Sequence, residues 1–461
     1  MTQRGVHQPM NKQGTRRLLS ALLVSAVAGT AAAGCSSGKG EPAPGQQAAE
    51  PKPSNEVVEL NVATGAGGST IADIESLFNA EALRKKFPHI KLNYIPKNNP
   101  DAVKSIESLI TSGTPIDIYF DTIYVYMNTL ERFKLGYDMS AELKKFNIDP
   151  NNYDPSTLNI ANSSYSNKVI GLPVTNTIPV MYYNKEIFDR FGVAYPKNGM
   201  TWDETFDIAR KLTRTEGGKT YLGFAFSFYH HFFHMNSLST PYVDAKTGRT
   251  AFMTNPDWKK LIDVSMVKIY DSAAYQTWLT DNKRIPKFDD FLLGSVAMQF
   301  SQVYGGGDML TKLEPIKYGV VSTPIFAGTK TGTQPYPTYV GIASSSKHKA
   351  EAMEIIKYLV SEEHQAYLAR DKGAIPTIKN DAVRKQLYEG TPLKGKGFYE
   401  AIYHNPLAPL ADKTIYDESV RAILSESAGI LKLGTGKTDI NTFLREVEER
   451  SNKKIEQEMP K

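Results

Sequence analysis

The sequence predicts an α/β fold in which strands and helices alternate along most of the chain. Three observations carry that prediction. Val57-Val58-Glu59-Leu60-Asn61-Val62 alternates as a strand does, the run Gly65-Ala66-Gly67-Gly68-Ser69-Thr70 turns, and a helix begins near Ile71, which together make a strand–turn–helix unit. A helix over 101–112 is followed by Ile116-Asp117-Ile118-Tyr119-Phe120, a short apolar run of the kind buried in a sheet. Thr201-Trp202-Asp203-Glu204 then forms a capping box ahead of Phe206, Ala209 and Leu212, apolar residues at helical spacing.

The remaining elements follow in order. Val169 to Val174 and Pro179 to Tyr183 read as strands, as does the stretch holding Phe224, Phe226 and Phe228, whose alternate rings suit one buried face. Val296 to Phe300 is a further strand. Ala352, Met353, Ile356, Leu359 and Val360 recur at helical spacing, and Lys372-Gly373 supplies a helix stop before Pro376. No short-period repeat interrupts the alternation.

With 461 residues, 41% hydrophobic and 22% charged, the chain can bury a large core. Its formal charge of +5 comes almost entirely from Arg4, Lys12, Arg16 and Arg17, so the remainder is near neutral and offers no electrostatic reason to bind nucleic acid. Those basic residues precede an apolar stretch from Leu18 to Ala33, too short to span a bilayer, and the small residues Ala32-Ala33-Gly34 come just before Cys35, the one cysteine. Residues 1–34 therefore read as a signal peptide, by general secretion rather than the twin-arginine route that Arg16-Arg17 faintly suggests. The segment resembles the lipobox of bacterial lipoproteins, with Ala32 where leucine is usual, which implies lipidation of Cys35. Residues 35–56, rich in Gly, Pro, Gln and Ala, cannot bury enough surface to fold and read as a tether.

Gly171-Leu172-Pro173 through Tyr182-Tyr183-Asn184-Lys185-Glu186-Ile187-Phe188, followed by Pro196 and the 201–204 capping box, resembles the family-1 extracellular solute-binding proteins, the maltose-binding-like receptors of ABC importers. Phe291 to Met298 resembles a second marker of that family, and Ala350 to Pro376, with Gly373-Ala374-Ile375-Pro376, a third. Gly434-Thr435-Gly436 and Phe443 fit as well, so the resemblance covers the chain from about Val57 onward. It implies a type II periplasmic-binding-protein-like fold: two α/β lobes joined by crossing hinge strands, with ligand held in the cleft between them. The implied lobes are 57–173 plus 325–374 and 174–324 plus 375–461, with crossings near Pro173–Asn176, Thr323–Pro324 and Ala374–Thr377. The implied role is not enzymatic. It is capture of a carbohydrate, delivery to ABC permease subunits, and attachment to the outer face of the cell membrane through the lipid alone, as a monomer and without a cofactor. A polysaccharide-acting enzyme, or a sensory or adhesive lipoprotein on the same fold, is the alternative.

A sugar needs hydrogen-bonding groups around its hydroxyls and an aromatic face against its ring. Asp121, Thr122 and Tyr124 follow the strand at 116–120, and Asn176 and Thr177 follow the first crossing, both at places where the resemblance implies ligand contacts. Tyr304, just before three glycines, matches the family position of a stacking aromatic. Tyr229 and His231 close the phenylalanine-rich stretch, and Gly67 and Gly68 offer backbone donors at a helix start. Other signals fail. Residues 65–70 imitate a dinucleotide fingerprint but carry Thr70 in place of its third glycine, Leu433 to Thr438 imitates a phosphate loop with Leu431 where a glycine is required, and Asp149, Asn151 and Asp154 lack the glycine of a calcium loop. His230 and His234 have helical metal spacing but no third ligand, so no metal is expected.

Overall fold

The computed structural model describes residues 57–65, 70–99, 101–158, 168–226, 229–303 and 308–459, with backbone alone at 229–230 and 308–310. Cys35 and the tether, Gly67, Gly68 and Tyr304 lie outside the described residues. In chain order the strands are β1 (Val58–Thr64), β2 (Ile90–Ile95), β3 (Ile118–Thr122), β4 (Leu172–Asn176), β5 (Pro179–Asn184), β6 (Arg214–Glu216), β7 (Lys219–Tyr221), β8 (Ala225–Phe226), β9 (Met298–Gln302), β10 (Tyr318–Ser322), β11 (Thr338–Ile342) and β12 (Ile375–Pro376).

They form two main sheets. The first has the order β12-β4-β11-β3-β1-β2, the second β10-β5-β9-β8, and β6 and β7 pair as a small hairpin. In the first sheet β1 runs parallel to β2 and β3, each joined by helices, because parallel neighbours need a long crossover. Its β11 then inserts antiparallel between β3 and β4. Because β4 and β3 are both antiparallel to the β11 between them, they point the same way, and β1, β3 and β4 all end at one edge: Thr64-Gly65, Asp121-Thr122 and Asn176. In the second sheet β9 ends opposite the start of β5, Gln302 facing Pro179.

Each sheet has its own packing. Leu60, Val62, Ile118, Phe120, Leu172, Val340 and Ile342 meet Ile74, Phe78, Met353, Ile356 and Leu359 from the helices over one face of the first sheet. The second sheet is dominated by rings: Trp202, Phe224, Phe226, Phe232 and Phe300 lie with centroids 4.9–6.4 Å apart. The helix Trp202–Leu212 starts with the expected capping box, Thr201 Oγ1 accepting from the Glu204 amide while Glu204 accepts from the Thr201 amide. Helix Glu362–Lys372 stops at Gly373, whose φ of 59° glycine adopts without strain.

Two expectations differ from the structure. In the phenylalanine stretch the described strand is Ala225–Phe226, with both Phe224 and Phe226 buried among rings, Phe228 lies outside the described residues, and Tyr229–His234 is a helix rather than the strand's end. The segment 374–377 does not leave the first sheet: Ile375 and Pro376 pair with Asn176 and Thr175, and Pro376, having no N–H to donate, takes the edge strand. The chain reaches the second sheet later, through the helix Phe398–Ile402 packed on β5 and β10. The segment 405–411 then runs beside 323–334, with the Gly332 amide on the Pro406 carbonyl and the Ala408 amide on the Thr333 carbonyl.

Candidate functional site

The site is assembled where the strand ends of the first sheet meet the chain segments that pass between the sheets. Asp121 ends β3, wholly buried. Its Oδ2 accepts from the Gly65 amide at 2.8 Å and the Tyr119 hydroxyl at 3.0 Å, and its Oδ1 from the Thr122 amide at 2.7 Å. Burial raises its carboxyl to about 7, with these hydrogen bonds and a longer one from the Thr122 hydroxyl at 3.4 Å opposing that rise. Asp121 thus ties the ends of β1 and β3 together rather than facing outward. Gly65 must be glycine, since a Cβ there would stand 2.8 Å from Asp121 Oδ2 and 2.9 Å from the Ala102 Cβ.

Asn176 and Thr177 clasp the crossing segment before β11. Asn176 Oδ1 accepts from the Tyr336 amide at 2.9 Å, and the Thr177 amide donates to the Tyr336 carbonyl at 3.1 Å. Tyr336 stands between Pro335 and Pro337, which hold the segment extended. Its hydroxyl lies 3.4 Å from Thr122 Oγ1, and its ring is 5.6 Å from both Tyr124 and His234 and 6.4 Å from His231.

Tyr124, in the first turn of the helix Ile123–Phe133, reaches across to the second sheet's elements. Its hydroxyl donates to the His234 carbonyl at 3.2 Å and its ring lies 3.8 Å from the His234 imidazole, which Tyr242 meets edge-on at 5.5 Å. The helix Asp417–Leu424 also packs here. Glu418 pairs with His234 Nε2 at 3.4 Å and accepts from Arg421 at 2.8 and 3.0 Å. Lys413 Nζ stands 4.7 Å from the centre of the Tyr124 ring.

The electrostatics follow from burial. His234 falls to about 4 because burial disfavours its charged form, with Glu418 pulling the other way. Burial alone would raise Glu418, but the His234 hydrogen bond and Arg421 outweigh it and hold it at about 2. Asp417 is pushed by burial up to about 7 against the charge of Lys413, and Lys413 is lowered by burial to about 8. Asp417 Oδ1 accepts from Thr414, while its Oδ2 and the Tyr242 hydroxyl, both buried, lack a hydrogen-bond partner among the described residues.

Of the residues expected from sequence, Asp121, Thr122, Tyr124, Asn176, Thr177 and His231 are brought together around Tyr336. Tyr229 opens the neighbouring helix, and Gly67, Gly68 and Tyr304 fall outside the described residues. Sequence reasoning missed Tyr336, Tyr242, Lys413, Asp417, Glu418 and Arg421, and considered His234 only as a metal ligand. The Pro335-Tyr336-Pro337 triplet and the charges at 417, 418 and 421, spaced to fall on one helical face with Lys413 just ahead of them, were the available signals. The arrangement joins apolar ring faces to carboxylates and donors, as recognition of a polyhydroxylated molecule requires.

Residues 67–366 match the family described as bacterial extracellular solute-binding protein. The chain belongs to that family. A binding protein of Brucella abortus is 26% identical over 225 residues, covering 47% of this solute-binding protein and 52% of the relative, so the chain spans about half the length of that relative. The sn-glycerol-3-phosphate-binding periplasmic protein of Rhizobium meliloti is 24% identical over 421 residues, 85% of this chain and 92% of the relative. The crystal structure of a sugar transporter from Rhizobium etli in an open conformation superposes with a TM-score of 0.68 at 23% identity, covering 86% of this chain and 99% of the other. The solute-binding protein therefore has the two-lobed fold that its sequence motifs implied. No helix among its described residues is long and apolar enough to cross a membrane.

Proposed function

We propose that this solute-binding protein captures a neutral carbohydrate, a sugar or short oligosaccharide, between its lobes and hands it to the permease of an ABC importer. The observation that carries this reading is the convergence of Tyr124, Tyr336, His234 and Tyr242 with the acidic pair Asp417 and Glu418 between the two sheets. A glycerol phosphate, the ligand named for the Rhizobium meliloti relative, fits this lining less well. Arg421 is already committed to Glu418, and a phosphate would meet the buried Asp417, whose Oδ2 has no hydrogen-bond partner among the described residues. Closure of the lobes would follow from differential affinity, since only the closed state touches ligand from both sides.

A thermal-shift screen of neutral sugars alongside glycerol 3-phosphate tests the ligand class. Ligand at 100 times its dissociation constant adds ~2.7 kcal/mol to stability. Neutral oligosaccharides are expected to raise the melting temperature and glycerol 3-phosphate to leave it unchanged. The reverse pattern would overturn the carbohydrate reading.

We further propose that residues 1–34 are removed on export and that lipidated Cys35 holds the protein at the outer face of the membrane through the 35–56 tether. Cys35→Ser is expected to release the protein into the soluble fraction without changing its melting temperature. Retention of the processed serine variant on membranes would exclude this anchor.

A further inference from the structure

A cavity of about 330 Å³ lies beside the crossing segments, lined by Asp154, Asn176, Arg384, Tyr399, Tyr403 and Asn405 among others. It is separate from the ring cluster. Asn176 and Ile178 line it, whereas Thr177 does not, and alternation along an extended chain turns Thr177 to the opposite side. None of Tyr124, His234, Tyr336, Asp417 and Glu418 borders it. Its walls come from elements of both sheets: Asn176 ends β4 of the first, and Tyr399 and Tyr403 belong to the end of the chain packed on β5 and β10 of the second.

We infer that this cavity is a second ligand site, built for a small carboxylate that also carries hydroxyl groups. Arg384 is held in place there, its Nε donating to the Ile378 carbonyl at 3.0 Å and its guanidinium lying 5.0 Å from the centre of the Tyr403 ring. No carboxylate pairs with it among the described residues. Asp381, three residues earlier, is taken by Lys385 at 2.8 Å and by the Tyr399 hydroxyl at 2.5 Å. The two terminal nitrogens of Arg384 are thus left for a bidentate partner, the geometry a planar carboxylate matches. The Tyr403 hydroxyl is buried without a hydrogen-bond partner among the described residues, which a ligand oxygen would supply.

The remaining polar groups are half used. Asn176 spends its oxygen on the Tyr336 amide and keeps its amide N–H₂, while Asn405 spends its N–H₂ on the Thr323 carbonyl and keeps its oxygen. Asp154 accepts from the Ser156 amide and hydroxyl with Oδ1 alone. One fixed cation with further donors and acceptors around it suits a carboxylate at Arg384 and hydroxyls at Asn405 and Asp154. A neutral sugar would leave the arginine unmatched, and a dianion would meet Asp154.

Calorimetric titration of the full chain with D-gluconate, and with D-glucose as its neutral counterpart, tests the assignment. Gluconate is expected to bind saturably and glucose not at this site. Arg384→Gln should weaken gluconate binding about tenfold or more, the loss expected when a hydrogen-bonded charge is removed. Tyr403→Phe, which keeps the ring that Arg384 packs on, should weaken it severalfold and serves if the arginine variant folds poorly. Arg384→Gln should leave the affinity for a neutral oligosaccharide from the thermal-shift screen unchanged, which keeps this site's fate separate from that of the carbohydrate cleft. No saturable heat with gluconate, equal binding of glucose, or undiminished affinity in both Arg384→Gln and Tyr403→Phe would overturn the inference.

Discussion

Tyr336→Ala is expected to weaken carbohydrate binding about a hundredfold. Its side chain meets Thr122 and Tyr124 at the end of β3 and His231 and His234 on the helix Tyr229–His234, while its backbone makes the clasp with Asn176 and Thr177 that an alanine variant would keep. Stacking on a ring contributes ~0.5–1.5 kcal/mol beyond area burial, and the apolar area itself ~1.5–3 kcal/mol for a large side chain. Together these amount to roughly two decades of affinity. Tyr336→Phe keeps the platform and loses only the long contact to Thr122 Oγ1, so it should cost far less. Calorimetry on a sugar from the screen, paired with melting of the unliganded variants, is the measurement. Unaltered affinity in the alanine variant would remove Tyr336 from the ligand surface and leave it as a spacer between crossings.

Gly341→Ala should cost about 4 kcal/mol or more of folding stability, a large effect for adding one methyl group. Gly341 lies in β11 opposite Tyr119, and a Cβ there would run into both the Tyr126 hydroxyl and the Ile170 carbonyl. Those two atoms are themselves bonded at 2.7 Å, and Tyr126 is stacked on Tyr119 at 5.3 Å and lies 5.6 Å from Tyr339. The ring cannot retreat without breaking that stack, and the carbonyl is backbone. Chemical denaturation would reveal the loss as a lowered midpoint. A change under about 1 kcal/mol would mean that β11 can shift away from its neighbours.

Much of the fold was legible because its signals are local. The strand and helix on either side of 66–69, the capping box at 201–204 and the stop at Gly373 each depend on a few adjacent residues, and the structure has all of these. The crossing near 374–377 was an implication of the family resemblance, and no local pattern in Gly373 to Pro376 shows which sheet the segment joins. Only the pairing of Ile375 with Asn176, some 200 residues distant, keeps it in the first. The cluster was half legible for the same reason. Asp121, Thr122, Tyr124, Asn176 and Thr177 follow strands, where strand ends point to a cleft. Glu418 and Arg421 lie on a late helix whose partner, His234, is set by packing between distant segments. Nor does any local pattern tell an aspartate that faces outward from one turned back, as Asp121 is, onto its own sheet.

That inward turn of Asp121 has a bearing on how the receptor is made. Every strand of both sheets is complete by Pro376, yet Lys413, Asp417, Glu418 and Arg421 come later in the chain. With Asp121 occupied in holding β1 to β3, the acidic groups of the proposed site, Asp417 and Glu418, come from a segment made after every strand of the two sheets. A chain emerging from one end to the other therefore completes the strands of its scaffold before it supplies these charges.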